Sequence, residues 1–316
     1  MIIPGGMTGS RKRGIGLATE WRVGAGAGAD FTTLQAAFDA VAAGDSEPTT
    51  IHLEAGVYRE KLNLSVGKTI HLVGEGALRT RIEWDDYAHK LHGDGAAYGT
   101  FRTPTFTIAA DDTVLQDVTI ANTAGPRSQV GQAIALAVTG QRFFGSGLRL
   151  LGHQDTLFTG GSGHQYFRDC DIEGDVDFIF GPATAVFERC QVKSLGRGYI
   201  TAASTPKEVD IGYLFWQCCL TGVEPASVYL GRPWRPYASV IFVETDMGDH
   251  ILPQGWDNWR DEHNQETARY FEFGSFGPGA ANARRSVWAH AYALAELPQR
   301  WQLREVLKHS GIGGFS

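Results

Sequence analysis

Residues 167–192 read FRDCDIEGDVDFIFGPATAVFERCQV, and one short pattern occurs in them twice, as Phe167-x-x-Cys170-x-Ile172 and Phe187-x-x-Cys190-x-Val192. The pattern recurs upstream as Leu115-x-x-Val118-x-Ile120 and downstream as Phe215-x-x-Cys218-x-Leu220. A looser copy keeps Leu148 and Leu150 but has Gly145 in the bulky place. Positions 118, 148, 170, 190 and 218 stand 30, 22, 20 and 28 residues apart. Around them run short strand-like segments, TIHL at 50–53, TIHLVG at 69–74, TFTIA at 105–109 and IALAVTG at 134–140, broken by Gly, Asn and Asp with no helical period between them. Self-similarity of this kind marks a solenoid of β-coils. Propeller blades need about 40 to 50 residues per repeat and fit less well. The expected fold is therefore all-β, a parallel β-helix whose coils stack ~4.8 Å apart and whose Phe, Cys, Ile and Val ladders make one continuous core.

The flanks read differently. Phe31 to Val41 carries a helical stripe of Leu34, Ala37, Phe38 and Val41 behind Asp30 as N-cap, which predicts a capping helix over about 30–45. Residues from about 285 to 316 are expected to form a helical and irregular tail, broken at Pro298, along the outside or over the far end. Residues 1–18 read as a flexible extension of a single domain spanning 1–316.

At 43% hydrophobic residues the chain can build a sizeable core, and its 40 glycines, spread along it, suit many tight turns. A net charge of −7, with no basic cluster beyond Arg11 to Arg13, argues against nucleic acid as a partner. No stretch approaches the ~18 apolar residues of a membrane span. The N-terminus lacks a secretory apolar core, which fits either a cytoplasmic chain or one whose signal has been removed. Cys170, Cys190, Cys218 and Cys219 form no C-x-x-C pair, so no metal site is expected on them. Gly24 to Ala29 resembles a dinucleotide loop without the βαβ context, and Gly161-Ser162-Gly163 is followed by His164, which is not a nucleophile elbow.

The chemistry is carried by carboxylates. Asp177 lies inside the apolar run Val176 to Phe180, where an unpaired buried charge is costly. Asp155 lies 22 residues before it and Gln132 a further 23, each about one coil, so the three should be neighbours on successive coils with Gln154 beside Asp155. Two close carboxylates split their pKa values, giving an anion that can attack and an acid that can donate a proton. The glutamine amides supply neutral donors for an oxyanion.

Together with Gln132 in QAIAL, the segments GHQDTLFTG, GDVDFIFG and YLGRPW resemble the signature blocks of the pectin methylesterases, carbohydrate esterases with a right-handed parallel β-helix. Weaker likeness runs from DFTTLQAAFDAV through YITAAS to GWDNW and FGPGA, covering most of the chain. The resemblance implies cofactor-free hydrolysis of galacturonate C6 methyl esters in methylated pectin or oligogalacturonides. Asp177 would be nucleophile, Asp155 general acid and base, Gln132 and Gln154 the oxyanion donors, and Arg232 the partner that keeps Asp177 anionic. Trp234 and Trp256 resemble the family's sugar-binding aromatics. His153 stands where a Tyr is common and Pro182 where an Asn is usual; both bear on substrate preference, His153 as a subsite or packing residue. Cys170 and Cys190, one coil apart, are either a disulfide or two small apolar residues in a ladder. The alternatives to the esterase are a β-helix that only binds polysaccharide, or a depolymerase. A monomer with no nucleic-acid or membrane partner is the expected state.

Overall fold

The computed structural model describes residues 19–44, 48–280 and 284–312. The expected flexible extension at 1–18 lies outside them. Every paired strand within this range is parallel to its neighbour, and the strands fall on three faces of a coil. The first face is a sheet of eleven strands running from Thr19–Val23 to His290–Tyr292. A second face runs from Gly56–Tyr58 through Thr119–Asn122 and Arg149–Leu151 to Asp246–Met247. The third holds Leu62–Leu64, Phe106–Ile108, Leu136–Val138, Leu157–Thr159 and Val228–Gly231. Two long strands, Asp171–Gly181 and Gln191–Ala203, bend through the corner and belong to both the second and third faces. The chain is a parallel β-helix.

The repeat pattern is the register itself. Leu115, Gly145, Phe167, Phe187, Phe215 and Phe242 pair in succession across the first face. Ile120, Leu150, Ile172, Val192, Leu220 and Met247 do so across the second. The rings of Phe167, Phe187, Phe215 and Phe242 stack at 5.1, 4.5 and 4.6 Å. At Gly145 the missing bulk is supplied by Leu148 and Phe143, which occupy the space a Cβ would enter. Phe187→Ala, in the middle of this stack and fully buried, should cost about 3 to 5 kcal/mol in urea unfolding. A loss under about 1 kcal/mol would show that the stack is not a packed core.

Between the first and second faces each coil turns at one residue of left-handed backbone. These are Asp117, Gly147, Asp169, Arg189, Gln217 and Glu244, with φ from 47° to 61°. Each donates its N–H to the carbonyl of the next coil, so the ladder continues through the corner. The next residue turns inward, and there Cys170, Cys190 and Cys218 lie buried. All are free thiols that donate to the Gly145, Phe167 and Phe187 carbonyls of the preceding coil. Of the two readings of Cys170 and Cys190, the structure shows the apolar ladder.

Helix Leu34–Ala43 seals the first coil with Leu34, Ala37, Phe38 and Val41, and Phe38 stacks on Phe106. Its cap departs from expectation. Asp30 precedes the helix by too many residues and accepts instead from the Arg22 N–H, while Glu60, from the loop after Gly56–Tyr58, accepts from the N–H groups of Leu34 and Gln35. A carboxylate at a helix N-terminus also complements the dipole. At the other end, helix Leu303–Ser310 and Trp301 pack on the outside of the first face against a cluster that includes Phe144, Tyr166, Val186 and Leu214.

Candidate active site

Strand Asp171–Gly181 slips register against its neighbour between Gly174 and Val176 and again between Val176 and Ile179. Phe178 and Ile179 are both buried in the core, and Asp177 takes left-handed backbone, φ 50°. This bulge frees Asp177 from the inward alternation. One coil earlier Asp155 does the same at φ 65°, and its N–H donates to the Val176 carbonyl at 3.1 Å, locking the two coils together. Aspartate tolerates this conformation better than most residues with a Cβ. The two carboxylates are 6% and 7% exposed.

Asp177 has its partner. Arg232, just beyond strand Val228–Gly231, donates Nε to Oδ1 at 2.9 Å and Nη2 to Oδ2 at 2.7 Å. The guanidinium lies between the rings of Tyr199 and Trp259, 3.8 Å from each centroid. Tyr199 in turn stacks on Tyr229. Trp259 holds a left-handed backbone, φ 58°, with its N–H donated to the Asp257 carboxylate at 2.8 Å. The fork that meets Asp177 is thus fixed in plane by two rings and a turn.

Burial pushes both carboxyls above the ordinary aspartate value. Asp155 moves furthest, because burial and then the charge of Asp177 raise it, while the charge of Arg232 and the Gln154 hydrogen bond oppose them only in part. For Asp177 the hydrogen bonds and charge of Arg232, and then the charge of Arg127, pull against burial. Of the two, Asp155 is thus the carboxyl whose proton is held more strongly, and Asp177 the one that a guanidinium pulls toward the anion.

Among the other residues singled out from the sequence, Gln132 and Gln154 are half-buried on adjacent coils, joined by the Ala133 N–H to the Gln154 carbonyl, and the Gln154 side chain hydrogen-bonds Asp155. Trp234 is half-buried on the outside of the third face, edge-on to Phe180 at 5.8 Å. Trp256 is not at the site. It is 2% exposed, stacked on Tyr270 at 4.0 Å, because it continues the third-face rung beside Gly231 with its side chain inward. Trp259, three residues on, is the tryptophan at the site. His153 stands apart from the carboxylate pair, with Nδ1 3.3 Å from the Asp175 carboxylate one coil on.

The sequence reading missed Phe101, Phe158 and Phe180, which with Trp234 make an aromatic row whose rings touch in succession at 5.1, 4.9 and 5.8 Å outside the third face. Phe158 and Phe180 each follow an aspartate of the pair by three residues, so the same period could have found them. Tyr199, Asp257 and Arg127 carried no such signal.

A parallel β-helix that carries a buried carboxylate pair and a row of aromatic rings along its outer face has the features of the solenoid enzymes that act on polysaccharides. A family model described as Pectinesterase matches residues 21–302, and the chain belongs to that family. As a pectinesterase it is a carboxylic ester hydrolase of the methyl esters of pectin. It is 35% identical over 275 residues to Pectinesterase 31 of Arabidopsis thaliana, covering 85% of this chain and 86% of that protein. Among solved structures it is similar to a pectin methylesterase in complex with a hexasaccharide (30% identity, TM-score 0.79, 95% of this chain and 99% of that one). It is likewise similar to the pectin methylesterase from carrot (26% identity, TM-score 0.82, 95% and 96%).

Proposed function

We propose that Asp177 is the nucleophile of a two-step ester hydrolysis at galacturonate C6, with Asp155 as the acid and then the base. The observation that carries this reading is the bidentate Arg232 fork on Asp177 beside a second buried carboxyl that has no such partner. A carboxylate oxygen of Asp177 attacks the ester carbonyl carbon. The oxygen that takes up the charge is held by N–H groups of Gln132 and Gln154, which stabilise it without neutralising the nucleophile. As the carbonyl re-forms, the C–O bond to the methoxy group breaks, and Asp155 gives it the proton that makes it methanol. This leaves a mixed anhydride on Asp177 and an anionic Asp155. Water then enters, Asp155 takes one of its protons, and the hydroxide opens the anhydride, releasing galacturonic acid, whose remaining proton passes to solvent, and restoring protonated Asp155 and anionic Asp177.

The substrate is methylated pectin or a methylated oligogalacturonide, lying along the aromatic row with Trp234 against a sugar face. No group in this scheme calls for a metal or other cofactor. The chain works as a single domain and a monomer, its strand edges paired along the coil axis. Methanol release from highly methylated pectin should persist in EDTA and leave polymer length unchanged. Shortened chains, or release that stops on chelation, would overturn the scheme.

A further inference from the structure

The bulge that carries Asp177 holds another aspartate, to which the hydrolysis gives no work. Asp175 lies within the first slip of register, two residues before Asp177, and is 9% exposed. Its Oδ2 stands 3.3 Å from Nδ1 of His153, two residues before Asp155. Its Oδ1 is buried without a hydrogen-bond partner among the described residues. The Asp175 N–H donates to the His153 carbonyl and the Asp155 N–H to the Val176 carbonyl, each at 3.1 Å. His153 and Asp175 are thus held beside Asp155 and Asp177 on the same two coils. A buried carboxylate with one bare oxygen does little for the fold and calls for another explanation.

An ionised carboxylate only accepts, so His153 Nδ1 carries the hydrogen and donates it to Oδ2. Among the described residues no Lys or Arg pairs with Asp175. The basic side chains on the flanking strands have carboxylates of their own: Arg149 has Asp171, Lys193 has Glu173 and Arg197 has Glu224. At Asp155 burial acts most strongly; of the charges, Asp177 raises its pKa, Arg232 lowers it and Asp175 raises it, in that order of size. Asp177 in turn feels Arg232, Arg127 and Asp257.

These charges do not all last through the reaction. Acylation removes the charge of Asp177 and leaves Arg232 without the anion it held. Asp155, which must then take a proton from water, has lost the neighbour that made it basic and kept the one that opposes this. Asp175 makes and breaks no bond, so its charge persists through both steps.

We propose that Asp175 is a positioning residue for the second step, a fixed negative charge, oriented by His153, that keeps Asp155 basic while Asp177 is acylated. The proposal rests on the two-step reading of Asp177 and Asp155. In that step an O–H bond of water breaks toward the Asp155 carboxylate and the water oxygen bonds to the C6 carbonyl carbon. The electron pair of the anhydride C–O bond returns to Asp177 as a carboxylate.

The test compares wild type, Asp175→Asn and Asp171→Asn on methylated pectin in the presence of hydroxylamine. This nucleophile competes with water for the acyl-enzyme and, being stronger, depends less on a base. Asp171 is half-exposed on the same strand, four residues or about 13 Å further away, so its variant removes the same charge at a distance. Asp175→Asn should raise the ratio of galacturonyl hydroxamate to galacturonate about three- to tenfold, the range open to a loss of up to about one unit of basicity at Asp155. It should also move the alkaline limb of kcat/KM to lower pH, because loss of a negative neighbour lets Asp155 give up its proton more easily. Asp171→Asn should change neither. One readout is a ratio of products and the other a position on the pH axis, so neither depends on how much of a variant folds. If wild type forms hydroxamate, an unchanged ratio or an unchanged alkaline limb in Asp175→Asn, or equal changes in Asp171→Asn, would overturn the role of Asp175. If wild type yields none above the enzyme-free background, it is the acyl-enzyme reading that falls.

Discussion

Asp177→Asn is expected to lower kcat for methanol release by about 10⁴-fold or more while leaving the fold and oligogalacturonide binding in place. The substitution is nearly isosteric and removes only the charge, so the amide still fits the bulge at φ 50° and can accept one hydrogen bond from Arg232. It cannot form an anhydride. The alternative assignment, with Asp155 attacking, predicts something different. Asp177→Asn would then slow the reaction by loosening Arg232 and would still leave an acyl group on Asp155. Single-turnover methanol release on methylated pectin separates the two, since a residual burst of one equivalent in the variant would move the nucleophile to Asp155. The assignment of attack to Asp177 is supported by the guanidinium, which that carboxylate holds and Asp155 does not.

Much of this architecture is legible in the sequence because the inward positions of a coil see the same environment on every turn. Phe167, Phe187 and Phe215 repeat because each must stack on the last, and the same period carries Asp155 and Asp177 onto adjacent coils. The corners are not legible. Asp117, Gly147, Asp169, Arg189, Gln217 and Glu244 share one backbone conformation and no side-chain chemistry. The cost of left-handed backbone is about 1 to 2 kcal/mol, small enough for tertiary structure to impose on almost any residue. Long-range partners were equally hidden. Glu60 caps a helix 26 residues before it, and nothing local distinguishes it from Asp30. Trp256 and Trp259 differ by three positions in a segment without periodicity. Which of them faces inward is settled by the bridge from Trp256 to Gly231, a contact that spacing does not reveal.

Arg232→Lys should lower kcat/KM by about 10² to 10³-fold and shift the acid side of the pH–rate profile to higher pH. The substitution keeps the charge, so it isolates geometry. An ammonium is a point donor that cannot meet both Asp177 oxygens as the fork does at 2.9 and 2.7 Å, nor lie flat between Tyr199 and Trp259. Disrupting a largely buried, hydrogen-bonded pair costs up to about 3 to 5 kcal/mol, which sets the scale of the loss. The direction of the pH shift follows from which state is reactive. Burial already pushes Asp177 upward and the Arg232 hydrogen bonds hold it down, so weakening them lets its pKa rise. The nucleophile works as the anion, so the rate falls as pH drops through that value, and in the variant the fall begins at higher pH. The alkaline side reports Asp155, which must carry a proton to make methanol; it should move little, since the positive charge that acts on Asp155 is retained. An Arg232→Lys profile that overlays wild type on the acid side would show that the fork does not set the charge of Asp177. A shift confined to the alkaline side would mean that Arg232 acts through Asp155 instead.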